Sequence, residues 1–150
     1  MSATKPVHQT NAPAYFFAGG TMKLHLTGKQ TSGAFCLLES LMPPGHMTPP
    51  HTHLEEDEAF LILEGELDIV VAGESVTVRT GEAAFAPRGV PHQLRNTSGR
   101  PVRAIVVTTP AGFGDFVRAA GSPASAGPPP APVPERLAAT AARFGIQIPA

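Results

Sequence analysis

The sequence predicts an all-β, single-domain protein, and three observations carry that expectation. At 150 residues the chain is long enough for one domain with its own core and short for two. Hydrophobic residues make up 42% of it and charged residues 15%, the balance of a compact folded chain rather than a disordered one. Its 15 glycines and 17 prolines fall as punctuation between short apolar runs, which is the spacing of an antiparallel barrel or sandwich.

Taken in order, residues 1–13 are polar and broken by proline, and are expected to form a flexible N-terminus. A β-barrel is expected over residues 14–110. Its strands are placed at 15–17, 23–26, 34–41, 58–63, 66–71, 75–79, 83–86, 92–96 and 103–108, with alternation clearest in Glu66-Leu67-Asp68-Ile69 and Val76-Thr77-Val78-Arg79. Glu64-Gly65, Ala72-Gly73-Glu74 and Thr80-Gly81 are turn signals between them. Strands joined so tightly pair antiparallel, because parallel pairs need a long crossover.

Residues 111–150 change character and are expected to hold short C-terminal helices joined by a proline-rich arm. Phe113, Phe116 and Val117 lie at i, i+3, i+4, so 112–120 reads as an amphipathic helix ended by Gly121. Residues 122–133 are a Pro/Ala/Ser/Gly tract, expected as an extended surface arm. Pro134-Glu135 then opens a second helix to about Phe144, stopped by Gly145. Leu137, Ala141 and Phe144 share one face of it, which packs on the barrel or on a neighbouring subunit.

Charge and cysteine content narrow the function classes. The formal net charge is −1 and basic residues are scattered singly, so neither a nucleic acid nor an anionic membrane is expected as partner. The single cysteine, Cys36, leaves no internal disulfide and no Cys-based zinc site, and reads as a small buried apolar side chain. No apolar run in residues 1–13 resembles a signal peptide, and no stretch approaches a transmembrane length. A cytoplasmic protein is therefore expected.

The informative segment runs from Gly45 through Pro49-Pro50-His51-Thr52-His53 to Glu58. His51 and His53 are two residues apart, so on a strand both imidazoles project from one face. Glu58 stands five residues beyond His53, an odd spacing that one unbroken strand would point the other way. The polar stretch Leu54-Glu55-Glu56-Asp57 solves this as a turn, after which Glu58 faces back. A second segment, Gly81 to Asn96, contains the turn Pro87-Arg88-Gly89 and places His92 at the start of a new strand. Closing the barrel brings that strand beside His51 and His53. Three neutral imidazoles and one carboxylate suit a single divalent transition metal ion (Fe, Mn, Ni, Co, Cu or Zn) and disfavour calcium. Glu55, Glu56 and Asp57 are expected as a solvated turn, His46 as a solvated loop residue, and His8 and His25 as uninvolved.

These two segments resemble the paired motifs of the cupin superfamily. Gly45, His51, His53, Glu58 and Gly65 occupy every fixed position of the first, and Gly81, Pro87, Gly89, His92 and Asn96 every fixed position of the second. The resemblance implies a jelly-roll barrel, also described as a double-stranded β-helix, with His51, His53, Glu58 and His92 as metal ligands. The short gap between the motifs is that of small bacterial monocupins. Glu56-Asp57-Glu58-Ala59-Phe60, Ala86-Pro87-Arg88-Gly89-Val90-Pro91-His92 and Thr109-Pro110-Ala111-Gly112-Phe113 are similar to quercetin 2,3-dioxygenase-type members.

That resemblance implies a dioxygenase of aromatic or enolic, flavonol-like small molecules, with Glu58 both ligand and general base. The alternatives are a redox-neutral metal cupin, such as an isomerase, cyclase or lyase, and a non-catalytic ligand-binding cupin. Strand alternation puts Phe60 and Ile62 on the side of Glu58, and Leu94 on the side of His92, as the expected substrate pocket. Arg88 and Arg95 are expected to face solvent, which leaves no basic ring to grip a phosphate. An open sheet edge and the C-terminal arm lead to a homodimer as the expected assembly.

Overall fold

The computed structural model describes residues 5–149. Residues 1–4 of the expected N-terminal segment and residue 150 lie outside the described residues. In chain order the elements are β1 (Ala14–Phe17), β2 (Gly20–Leu26), the single turn α1 (Gly28–Thr31), β3 (Cys36–Met42) and β4 (Thr52–His53). Then come β5 (Asp57–Glu64), β6 (Glu66–Val71), β7 (Glu74–Arg79), β8 (Ala83–Ala86), β9 (His92–Arg95) and β10 (Val102–Thr109). The chain finishes with α2 (Phe113–Ala120), β11 (Ser122–Pro123), α3 (Pro134–Ala142) and β12 (Ile146–Gln147).

Every strand pairing is antiparallel, as the short turns require. One sheet has the order β11-β1-β2-β3-β10-β5-β8, a second β7-β6-β9, and a third pairs β12 with β4. Isolated bridges between His51 and His92, and between Met47 and Arg95, tie the segment around β4 to the free edge of β9. The result is a jelly roll of two facing layers, not one ring of continuous ladders. Leu24, Leu38, Phe60, Ile62 and Val106 from the large sheet and Leu67 and Ile69 from the smaller one form a single buried core.

Alternation decides what faces that core. On β10, Val102, Ala104, Val106 and Thr108 are buried and the residues between them half-buried. On β5, Glu58, Phe60 and Ile62 point inward, while Leu61 points outward and is 40% exposed. Gly65 turns the chain into β6 at φ +85°, where an added Cβ would meet the Pro101 carbonyl oxygen at 2.9 Å.

Asn96, just past β9, is fully buried and knots three loops. Its Nδ2 donates to the carbonyl oxygens of Met42 and Pro43, both at 3.1 Å, and of Arg100 at 2.7 Å. Its Oδ1 accepts from the Ser98 N–H at 3.2 Å and the Ser98 hydroxyl at 2.7 Å. Every hydrogen-bonding atom of the amide is satisfied.

The C-terminal elements pack on the layers. Phe113, Phe116 and Val117 of α2 are buried, Ala141 of α3 is buried, and Leu137 and Phe144 rest against the core. The expected extended arm is regular only at its start, where β11 pairs with β1. α1 was not foreseen, although Thr27 and Gln30 carry its signal: the Thr27 N–H donates to Gln30 Oε1 at 2.9 Å. No helix among the described residues is long and apolar enough to cross a membrane.

Candidate metal centre

The two motif segments meet through backbone. The His51 N–H donates to the His92 carbonyl at 3.0 Å, and the His92 N–H donates to the His51 carbonyl at 2.9 Å. This reciprocal pair sets the two imidazoles side by side, with ring centroids 4.3 Å apart. β4 is shorter than the strand expected for both histidines, so His51 is placed by its bridge and His53 by β4 itself. On its other side, His53 is paired with Ile146 of β12. The turn after β4 returns the chain into β5, and Glu58 faces inward as its spacing predicted.

One atom from each of His51, His53, Glu58 and His92 falls in a cluster whose members lie within 4.8 Å of one another. Glu58 Oε2 is 2.9 Å from His92 Nε2 and 3.1 Å from His53 Nε2. His51 donates its Nδ1–H to the Pro49 carbonyl at 2.8 Å, which leaves Nε2 free to act as a ligand. His53, Glu58 and His92 are buried and His51 is half-buried.

Burial and mutual charge split the titration of this cluster. Burial pushes His51 down to about 4, helped by the charge of His92. Burial lowers His53 as well, but Glu56 and Glu58 outweigh it and raise that imidazole to about 9. Burial raises Glu58, yet the close imidazoles of His53 and His92 overcome it and hold the carboxyl below the usual carboxylate range. Without a metal, a proton on His53 therefore takes the place of a cation beside Glu58.

The fit to a metal rests on an orphaned side chain. His53 is 2% exposed, yet neither of its ring nitrogens has a hydrogen-bond partner. Its contact with Glu58 is close but out of line. A buried imidazole left this way is costly unless something else fills its lone pair. Three nitrogens and one oxygen within 4.8 Å of one another are the donor set of a first-row divalent ion.

The expected solvated acidic turn is corrected at Glu56. That residue is 7% exposed; its Oε2 accepts the Phe113 N–H at 3.1 Å and its Oε1 lies 3.7 Å from His53 Nδ1. A carboxylate behind the second nitrogen of a metal-binding imidazole orients the ring and strengthens its donor. Nothing local separates Glu56 from Glu55, because its partner at the start of α2 is 57 residues away. Asp57 is not free either, pairing with Arg88 at 3.1 Å. Arg95 is exposed, His8 is exposed, and His25 bonds Glu39 at 2.8 Å.

A cavity of about 670 Å³, open to solvent, lies beside the cluster. Phe60 and Leu94 line it, together with His51 and Glu58, whereas Ile62 is fully buried in the core. His46, expected in solvent, is half-buried in the cavity wall, and burial lowers its pKa. Leu137, Ile146 and Ile148 roof the space from the C-terminal elements.

Residues 38–108 match the cupin domain family. The chain is 30% identical over 113 residues to the tetracenomycin polyketide synthase protein TcmJ of Streptomyces glaucescens, covering 73% of this chain and 69% of that protein. The solved structure of the polyketide cyclase RemF from Streptomyces resistomycificus superposes with a TM-score of 0.59 at 32% identity, over 71% of this chain and 80% of that one. Quercetin 2,3-dioxygenase of Bacillus subtilis is 29% identical over 86 residues, 57% of this chain but 26% of that enzyme. The chain likewise spans 56% of the length of an Arabidopsis thaliana germin-like protein, to which it is 34% identical over 122 residues, 67% of this chain.

Proposed function

The chain belongs to the cupin family, and from that premise we propose a metal-dependent enzyme that acts on an aromatic or enolic small molecule of polyketide type by redox-neutral chemistry, as a cyclase does. The observation that carries this reading is the cavity, whose wall of Phe17, Met22, Phe60, Leu94 and Phe113 leads to His51 and Glu58. Its lining contains neither Lys nor Arg among the described residues, which disfavours phosphosugars and dicarboxylates. Two relatives covered along most of their length, TcmJ and RemF, carry polyketide names, which favours this order over the dioxygenase.

His51, His53, Glu58 and His92 would hold a divalent ion, which would supply Lewis-acid polarisation of a carbonyl or phenolic oxygen. The chain supplies the rest. Glu58 is the only carboxylate lining the cavity among the described residues, so it is the group placed to take a proton from a phenol or enol. His46, kept neutral by burial, offers a second hydrogen-bonding group in the same wall. Leu137, Ile146 and Ile148 line the same cavity and bound the ring system that can reach His51.

The dioxygenase stays as the second reading, favoured by the similarity to quercetin 2,3-dioxygenase. The deciding experiment loads purified protein with zinc or iron and offers aromatic polyketide precursors and flavonols, with and without oxygen. Turnover under zinc without oxygen supports the cyclase reading. Oxygen uptake matched to flavonol loss supports the dioxygenase, and tight binding without turnover under any metal leaves a binding protein. The homodimer is also a proposal, supported by the outward-facing Leu61 and Phe85, 40% and 57% exposed; a monomer mass in light scattering overturns it.

A further inference from the structure

Three side-chain polar atoms among the described residues are buried without a partner: both ring nitrogens of His53 and the hydroxyl of Thr108. The metal reading accounts for the first two and leaves the third. Thr108 is 0% exposed and faces inward from β10. Its ladder partner on β5 is Glu58, and on β3 it is Cys36. Directly opposed residues on one face of an antiparallel pair have Cβ atoms about 5 Å apart, so the Thr108 hydroxyl and the Glu58 side chain spring from neighbouring positions on the same inward face. On the other side of Glu58 the ladder partner is Ala86, which has no polar side chain.

Without a metal, Glu58 Oε2 is held by the imidazoles of His92 and His53. Those interactions need protons on the same nitrogens that bind an ion. Metal binding removes the protons, and Glu58 loses the donors that fixed it. A ligating carboxylate is normally steadied by a hydrogen bond from outside the ligand set. Thr108 is the neighbouring donor with nothing else to do.

On the strength of the metal-site reading, we infer that Thr108 is a positioning residue, whose hydroxyl donates to the Glu58 carboxylate in the metal-loaded protein. In the metal-free protein the same hydroxyl is an unpaired buried group, and so a liability. Loading and stability then respond to its removal in opposite directions, which a purely structural hydroxyl does not do.

The test is cobalt(II) titration of wild type, Thr108→Val and Thr108→Ser, followed by the visible spectrum of the bound ion, with melting of each metal-free protein alongside. Thr108→Val keeps the shape and removes the donor. It is expected to bind cobalt roughly tenfold more weakly with an altered spectrum, while its metal-free form melts at or above the wild-type temperature. Thr108→Ser is expected to keep wild-type affinity within about twofold, since it retains the donor. Wild-type affinity in Thr108→Val, or a metal-free Thr108→Val that melts well below wild type or does not fold, overturns the inference. A wild-type protein that binds no cobalt removes the metal-site reading itself, a separate result from unchanged affinity in the valine variant.

Discussion

Asn96 and His53 are both polar, both fully enclosed, and both fixed positions of the paired motifs, yet their surroundings are opposite. The Asn96 amide has a partner for every donor and acceptor, all supplied by the chain. The His53 imidazole has none that is aligned. A satisfied buried amide holds loops together and has nothing left to offer a ligand. An unsatisfied imidazole beside a carboxylate is stable only with a proton or a metal in the gap. Satisfaction, not burial, separates Asn96 from His53.

The sharpest way to break that contrast is to exchange the consequences. His53→Ala is expected to lower metal affinity by roughly 100-fold or more, beyond the loss typical of outer-shell changes, while the protein stays folded. Elemental analysis together with circular dichroism checks it, and one retained metal per chain defeats it. Asn96→Ala is expected to do the reverse. It leaves the Met42, Pro43 and Arg100 carbonyls without their donor and costs about 3 kcal/mol of stability in urea unfolding. The folded fraction is expected to keep its full metal complement.

A subtler contrast is pH. His53 is raised to about 9 from 6.5, so its contribution to metal-free stability is complete below pH 6.5 and is lost as pH rises through 9. His51 is lowered to about 4 from 6.5, so its share is complete above 6.5 and is lost as pH falls toward 4. The metal-free protein is therefore expected to be most stable near pH 6.5, and metal loading to abolish the alkaline decline. Melting temperatures from pH 5 to 10, with and without zinc, measure both limbs. A decline above pH 7 that persists in the loaded protein counts against the assignment. The smallest expected effect is at Glu56→Gln, which keeps the acceptor for Phe113 but weakens the charge behind His53. Metal affinity there is expected to fall about tenfold, read by competition with a chelator.

Much of the site was legible in the sequence because its geometry is local. Spacing two puts His51 and His53 together, and the odd spacing to Glu58 demands the turn that is found. The meeting of His51 with His92 followed from the strand order. What stayed hidden depends on distant partners. Glu56 looked like its acidic neighbours until Phe113 reached it, and His46 looked like a mouth residue until the wall formed around it. The roof of Leu137, Ile146 and Ile148 follows from how the C-terminal elements fold back, which no local pattern states. The fold class and most strand positions were readable from alternation, whereas the division into two layers required the pairings themselves.

The pairing of Ile146 with His53 has a consequence for the order of events during synthesis. A ribosome delivers His51, His53, Glu58 and His92 long before it delivers β12. Until then the strand bearing His53 is held on one side only, by the bridge from His51 to His92 and by the Gly89 N–H donating to the His53 carbonyl. The second wall of the cage thus comes from residues far downstream of all four ligand candidates.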